Sequence, residues 1–221
     1  YDGEILYADY HVGRLLKELE NLGVLENALV MVTADHGEEF FEHGNDKHGK
    51  SAYEEVLRIP LLVHWRQKVP AGTTYDGVVG HIDVLPTILT LIGMEPPAGV
   101  QGNSFAEVVM KPIKEPANRQ IFAQVVDNSV EIEMVRNGGY KLIRYLGGAQ
   151  EGREELYDLE HDPLERTDIA PRAAARVAAL TRELEAFNKF ASQSAGRIRA
   201  EQVQKLDRDT ERALRSLGYI K

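Results

Sequence analysis

Apolar residues recur at helical spacing through residues 4–22. Ile5, Leu6, Val12, Leu15, Leu16, Leu19 and Leu22 share a face, with Asp9, Arg14, Lys17 and Glu18 between them. Asp2 suits the N-cap, and Gly23 suits the residue just past the C-terminus. A short turn then leads to residues 28–33, a β-branched run that is apolar on both faces, as a central strand of a helix-covered parallel sheet requires. The pattern breaks at Asp35-His36-Gly37. Residues 37–52, rich in Gly, Glu, His, Lys and Asn, predict a loop, and residues 53–58 a helical turn. Residues 61–65, opened by Ile59-Pro60, predict a second buried strand.

Residues 81–93 return to helical spacing, with Val84, Leu85, Ile88, Leu89 and Ile92 on one face. Pro86 falls in the first turn, where a missing N–H costs little. Residues 94–116 are rich in Pro and Gly and predict irregular surface chain. The period then changes. Residues 120–126, 131–136 and 140–145 alternate, Asn137-Gly138-Gly139 joins the last two as a hairpin, and residues 155–159 predict a further strand. Helices are predicted over residues 171–191 and 201–217, the latter stopped by Gly218. The switch in period divides the chain into an α/β part, residues 1–117, and a small antiparallel-sheet subdomain with C-terminal helices, residues 118–221. One continuous domain is the alternative.

With 221 residues, 43% of them hydrophobic, the chain can bury a sizeable core. A net charge of −9 without a basic block argues against a nucleic acid partner. It does not exclude an anionic small substrate, since a metal or local cations override the global sign. No cysteine is present, so disulfides, thiolate metal sites and a cysteine nucleophile are excluded within these residues. No run is long enough for a membrane segment. The chain opens Tyr1-Asp2-Gly3 without an initiator methionine, which reads as a start partway into a longer protein. That reading leaves localisation open, export or a periplasmic site included.

The candidate chemistry lies between the two predicted strands. Asp35 and His36 follow a strand end, where open α/β sheets place their sites. A carboxylate and an imidazole there suit Ca²⁺, Mg²⁺, Mn²⁺ or Zn²⁺. The competing reading is an aspartate that caps the next turn beside a partly exposed histidine. His43, His48 and Lys50 add donors within the same loop. Lys50 suits an anionic oxygen. His48, with an unperturbed pKa of about 6.5, suits a general acid. Glu38, Glu39 and Glu42 would favour a metal or pair with Lys47 and Lys50. Arg58 is expected to be buried and to bridge to Glu54 or Glu55. Asp83 is expected to serve the dipole of the helix it begins. His81 could reach the site, whereas His11, His64 and His161 have no companions and read as structural or surface residues. No Gly-rich phosphate loop and no Gly-x-Ser-x-Gly elbow occurs.

These residues resemble a known family. Val32-Thr33-Ala34-Asp35-His36-Gly37-Glu38, then Glu42-His43-Gly44, then His48-Gly49-Lys50-Ser51-Ala52-Tyr53-Glu54-Glu55-Val56-Leu57-Arg58-Ile59-Pro60 are similar to the second half of a sulfatase, in the alkaline phosphatase superfamily. His81-Ile82-Asp83-Val84-Leu85-Pro86-Thr87, Glu155-Leu156-Tyr157-Asp158-Leu159-Glu160-His161-Asp162-Pro163 and Leu217-Gly218-Tyr219 resemble later family segments in the same order. The resemblance implies an α/β fold: part of an alkaline-phosphatase-like mixed sheet flanked by helices, followed by a small antiparallel sheet. It also implies a divalent metal, most often Ca²⁺. Asp35 and His36 match metal-ligand positions. The lysine that contacts the transferred group maps to His48-Gly49-Lys50, with either His48 or Lys50 in that role. Relatives often carry Asn at position 36, and His there is more typical of phosphodiesterase-like and phosphonate-hydrolase members. The family nucleophile, in Cys/Ser-x-Pro-x-Arg, and the paired aspartates that open the metal site have no counterpart in this sequence. The resemblance therefore implies a C-terminal sulfatase part with half a metal site and no nucleophile. An unpaired apolar strand edge in such a part would favour self-association.

Overall fold

The computed structural model describes residues 1–97, 99–111, 119–127, 130–195 and 212. Helix α1, Asp2–Asn21, forms over the amphipathic segment and stops where Gly23 takes φ 71. Strands β1, Val30–Thr33, and β2, Leu61–His64, follow as expected in position, with α2, Glu54–Leu57, between them.

Their pairing differs from the parallel arrangement expected. β1 and β2 are antiparallel, with Val30 opposite His64 and Thr33 opposite Leu61. The connection through residues 34–60 leaves and re-enters the two-stranded ribbon at one end. Thr33 Oγ1 ties the two feet together by donating to the Pro60 carbonyl at 2.9 Å. The strands are also less buried than their all-apolar runs imply, with Val32 and Leu62 exposed. Helix α1 buries no residue. Ile5, Leu6, Leu15 and Leu22 are more than half exposed, because its main packing partner among the described residues is the short turn Val24–Asn27.

A one-turn 3-10 segment, His81–Asp83, leads into α3, Val84–Leu91. Pro86, Thr87 and Leu91 are its buried residues, while Leu85 faces solvent. Asp83 is more than a dipole partner. Its buried carboxylate accepts from the backbone N–H groups of Gly80 at 2.9 Å and Asn103 at 2.7 Å, and Arg119 pairs with it at 3.0 Å. The stretch expected to be irregular holds helix α4, Ala106–Met110. Phe105 and Ala106 are buried, and Phe105 N–H donates to Thr87 Oγ1.

Strands β3, Gln120–Asp127, β4, Val130–Asn137, β5, Tyr140–Gly147, and β6, Glu154–Asp158, form a four-stranded antiparallel meander in chain order. Gly138 supplies the positive φ, 60°, that the β4–β5 turn needs. Register places Ile132, Met134, Arg136, Lys141, Ile143, Tyr145, Glu155 and Tyr157 on one face. On that face Ile132, Met134, Ile143, Tyr145 and Tyr157 pack with Ala52 and Tyr53, so the sheet is the floor on which the 34–60 connection rests.

Helix α5 spans Ala174–Ala195. Residues 1–180 form one compact unit and residues 181–221 a second. The predicted helix over residues 201–217 lies outside the described residues apart from position 212. No helix among the described residues is long and apolar enough to cross a membrane.

Charged side chains on the inner sheet face reach the connection. Lys141 is fully buried and pairs with Glu165 at 2.8 Å and Glu54 at 3.1 Å, while Arg136 pairs with Glu54 at 3.3 Å. Arg58, expected in this role, is exposed instead. Glu54 is already engaged by Arg136 and Lys141, and Glu55 by His43. Removing one partner of a buried ion pair strands the other. Lys141→Met is therefore expected to cost about 3–5 kcal/mol in urea unfolding, and Lys141→Met with Glu165→Leu to recover part of it. The exposed apolar side chains of α1 and the open edges of β1 and β2 predict concentration-dependent self-association in sedimentation; a strict monomer at all concentrations would contradict this.

Candidate active site

Strand β1 delivers Asp35 and His36 at its carboxyl end. Asp35 Oδ1 accepts the His36 backbone N–H at 3.0 Å, a contact to the adjacent residue. The same bond, with the nearby imidazole, holds the Asp35 carboxyl below the ordinary carboxylate range. His36 Nδ1 lies 2.8 Å from the Gly37 carbonyl. A carbonyl only accepts, so Nδ1 carries a proton, and in the neutral ring Nε2 is the atom left to bind a cation. That atom sits 3.7 Å from Asp35 Oδ2. Two donor atoms at this separation fit one cation with bonds of about 2.3–2.6 Å. A histidine whose second nitrogen is fixed by a backbone carbonyl is the usual arrangement of a metal ligand. Hard oxygen and borderline nitrogen donors thus fit a divalent ion, and exposure leaves room for further ligands.

Gly37 is required by packing. A Cβ there would lie 2.0 Å from the Glu55 carbonyl oxygen, and its N–H donates to the Val56 carbonyl at 2.7 Å. The chain leaving Asp35-His36 is thereby laid directly against α2.

His48 returns to this point. Its ring stacks on that of His36 with centroids 3.9 Å apart. Its Nδ1 lies 3.0 Å from Glu38 Oε1, and its backbone N–H donates to the same oxygen. Against the opposing effect of desolvation, these bonds hold the Glu38 carboxyl below its usual value. His81 arrives from the turn before α3, and its Nε2 donates to the Ala34 carbonyl at 2.8 Å, one residue before Asp35. Asp35, His36, His48 and His81 are therefore gathered at one strand end. Lys50 is exposed on the same loop, and its ion-pair partner among the described residues is Asp46 at 3.8 Å.

Two structural residues carry no signal in their local sequence. Glu39 is fully buried. It accepts from the backbone N–H groups of His43 and Asn45, from Asn45 Nδ2 and from Ser51 Oγ, closing residues 39–51 into a loop. Despite its burial, these donors keep the carboxyl below its usual value. His43 is the second. Its Nδ1 meets Glu55 at 2.5 Å, its Nε2 meets the Glu165 carbonyl at 3.1 Å, and its ring stacks on Tyr53 at 3.7 Å. The strong donor demand on Glu39 and the acid placed twelve residues beyond His43 are visible only once the chain is folded.

Of the histidines expected to stand alone, His161 has companions. His11 is exposed beside Tyr7 and Tyr10, and His64 is exposed on β2. Asp158, Glu160 and His161 cluster in the exposed turn after β6, where a single ion could be held. Their atoms already satisfy one another, with His161 Nδ1 3.0 Å from Asp158 Oδ2 and Glu160 N–H donating to Asp158 Oδ1.

Comparison with known proteins adds to this geometry. Residues 1–94 match the sulfatase family model. An N-acetylglucosamine-6-O-sulfatase of Bacteroides thetaiotaomicron is 32% identical over 181 residues, 78% of this chain and 32% of that protein. Arylsulfatase K of Bos taurus is 28% identical over 198 residues, 85% of this chain and 36% of that protein. A solved structure of a protein in complex with its substrate D-glucosamine-2-N,6-O-disulfate superposes with a TM-score of 0.71 at 27% identity, covering 90% of this chain and 41% of that one. The chain spans about one third of the length of the curated relatives it matches. The α/β architecture, with its antiparallel meander, is the alkaline-phosphatase-like fold of these neighbours.

Burial alone would lower the His43 pKa, but the bonds to Glu55 and the Glu165 carbonyl raise it above its ordinary value. A raised folded pKa gives stability that is full below about pH 6.5, the unfolded value, and is lost as pH rises through the folded one. The melting-temperature advantage of wild type over His43→Gln is expected to shrink between about pH 6 and about pH 9 in thermal unfolding followed by circular dichroism.

Proposed function

We propose that the chain, whose residues 1–94 match the sulfatase family model, carries the part of a sulfuric ester hydrolase site that grips the ester and serves the leaving group. The observation that carries this reading is the convergence of Asp35, His36, His48 and His81 at the carboxyl end of β1. Asp35 and His36 hold a divalent cation, Ca²⁺ by the family resemblance, with Mg²⁺, Mn²⁺ and Zn²⁺ as alternatives. When bound, that cation neutralises charge on sulfate oxygens as the S–O bond breaks.

The chain's own groups do the rest. Lys50 reaches solvent on a flexible stem, its ion-pair partner among the described residues being exposed Asp46 at 3.8 Å, and binds a sulfate oxygen by direct charge pairing. His48 presents Nδ1 to Glu38, which fixes the ring and leaves Nε2 to serve the departing alkoxide as general acid or to contact the sulfate. His81 holds the Ala34 carbonyl, steadying the peptide that enters Asp35.

The attacking group lies in none of these residues. The chain has no cysteine and no Ser-x-Pro-x-Arg, so it supplies half of the site, and the nucleophile and remaining metal ligands come from another segment. The named substrates of the similar proteins, a 6-O-sulfated N-acetylglucosamine and a disulfated glucosamine, support a sulfated amino sugar as the substrate class.

Calorimetric titration with Ca²⁺ tests the half-site. Wild type is expected to bind, and Asp35→Asn to bind about tenfold more weakly through loss of ligand charge. The chain alone is expected to show no turnover of an aryl sulfate ester. Turnover above a blank from mock-purified host extract would sink the proposal that its nucleophile lies elsewhere.

A further inference from the structure

Three buried charged side chains, Lys141, Glu155 and Glu165, take no part in the chemistry proposed above. All three lie on or beside the β4–β6 sheet, and all three turn toward the 34–60 connection. Glu165 Oε2 accepts the Glu54 backbone N–H at 2.6 Å, and its Oε1 pairs with Lys141 at 2.8 Å. Glu155 accepts from Tyr53 Oη at 2.8 Å and Tyr157 Oη at 3.0 Å, and pairs with Arg153. Burying charge is costly unless each group is paired and hydrogen-bonded, and here each is. These pairs reach Tyr53 and Glu54, at the C-terminal foot of the loop.

One side chain extends that hold into the loop itself. The loop is closed internally by Glu39, which receives the N–H groups of His43 and Asn45 and the hydroxyl of Ser51. Such a closed loop keeps its own shape but can still tilt as a body against the strand end. His43 crosses from it to both supports. Its Nδ1 reaches Glu55 on α2, its Nε2 reaches the Glu165 carbonyl, 122 residues away in sequence, and its ring lies on Tyr53 at an interplanar angle of 16°.

We propose that His43 is a positioning residue, a strut that holds the 39–51 loop on α2 and on the Glu165 segment, which Lys141 of β5 anchors, and so keeps His48 stacked against His36, with Lys50 on the same loop. The proposal rests on the sulfatase reading for the meaning of His48 and Lys50, but not for the strut itself. It assigns the antiparallel sheet a role in site geometry although no sheet residue belongs to the site. Three donor-acceptor and stacking contacts restrain the imidazole at both ring nitrogens and one face, whereas a residue held only by packing would tolerate an isosteric amide.

The test uses the intact chain and amide hydrogen exchange, with nuclear Overhauser contacts between the His36 and His48 rings as the spectroscopic readout. His43→Ala is expected to speed exchange about tenfold or more at residues 45–51 and to abolish the ring contact, while Met134, Val135, Leu142 and Ile143 keep wild-type protection. His43→Asn, which retains a donor near the Nδ1 position, and His43→Gln, which retains one near Nε2, are each expected to fall between alanine and wild type. An unchanged loop in His43→Ala would overturn the proposal. So would an equal rise in the sheet amides, because His43 would then support the whole fold rather than the loop. Neither readout involves turnover or metal, so a failed sulfatase reading appears separately, as wild-type protein that does not bind Ca²⁺.

Discussion

The seating of the 34–60 connection on the β4–β6 sheet is the constraint on which the rest depends. Two antiparallel strands of four residues each cannot hold a long polar loop in place by themselves. The loop is held because Ala52 and Tyr53 enter the apolar face of a sheet formed some eighty residues later, and because Glu54 reaches Lys141 and Arg136 on that face. Burial raises the Glu165 carboxyl above its ordinary range, against the opposing pull of Lys141. Each of these charges is tolerated only while the others are present.

From this seat the geometry of the strand end follows. Gly37 lies against the Glu55 and Val56 carbonyls because no Cβ intervenes, and that contact turns the chain so that His36 faces back over Asp35. Glu39 then gathers the donors of the loop, and Glu38 holds His48, whose ring stacks on His36. On the other side His81 grips the Ala34 carbonyl from a turn that is itself held by the buried Asp83. The reactive side chains are exposed, while the residues that aim them are buried. Such a division suits a site whose rigid shell must survive while its reactive groups exchange ligands and protons.

The same constraint explains the asymmetry between the two parts of the fold. The meander has a dense core in which Ile132, Val135, Leu142, Ile143 and Leu156 are fully buried. The ribbon and α1 keep their apolar residues largely in solvent, although their hydrophobic periodicity is at least as strong. Amphipathic pattern specifies which face of an element is apolar. It does not specify what covers that face, and in this chain nothing among the described residues covers it.

Much of this was readable from the amino-acid sequence, for local physical reasons. The helix over α1, the strand ending before Asp35 and the β4–β5 hairpin at Asn137-Gly138-Gly139 follow from periodicity and turn chemistry within a few residues. The order of motifs placed Asp35, His36, His48 and Lys50 in one loop, and identified His81 as within reach. Only the tertiary structure decided the antiparallel direction of β2, the exposure of Arg58 and α1, and the burial of Glu39, Lys141, Glu155 and Glu165. A charged residue carries no local mark of burial, because the partner that makes burial affordable lies elsewhere in the chain. For His43 that partner is 122 residues away, and only folding brings the two together.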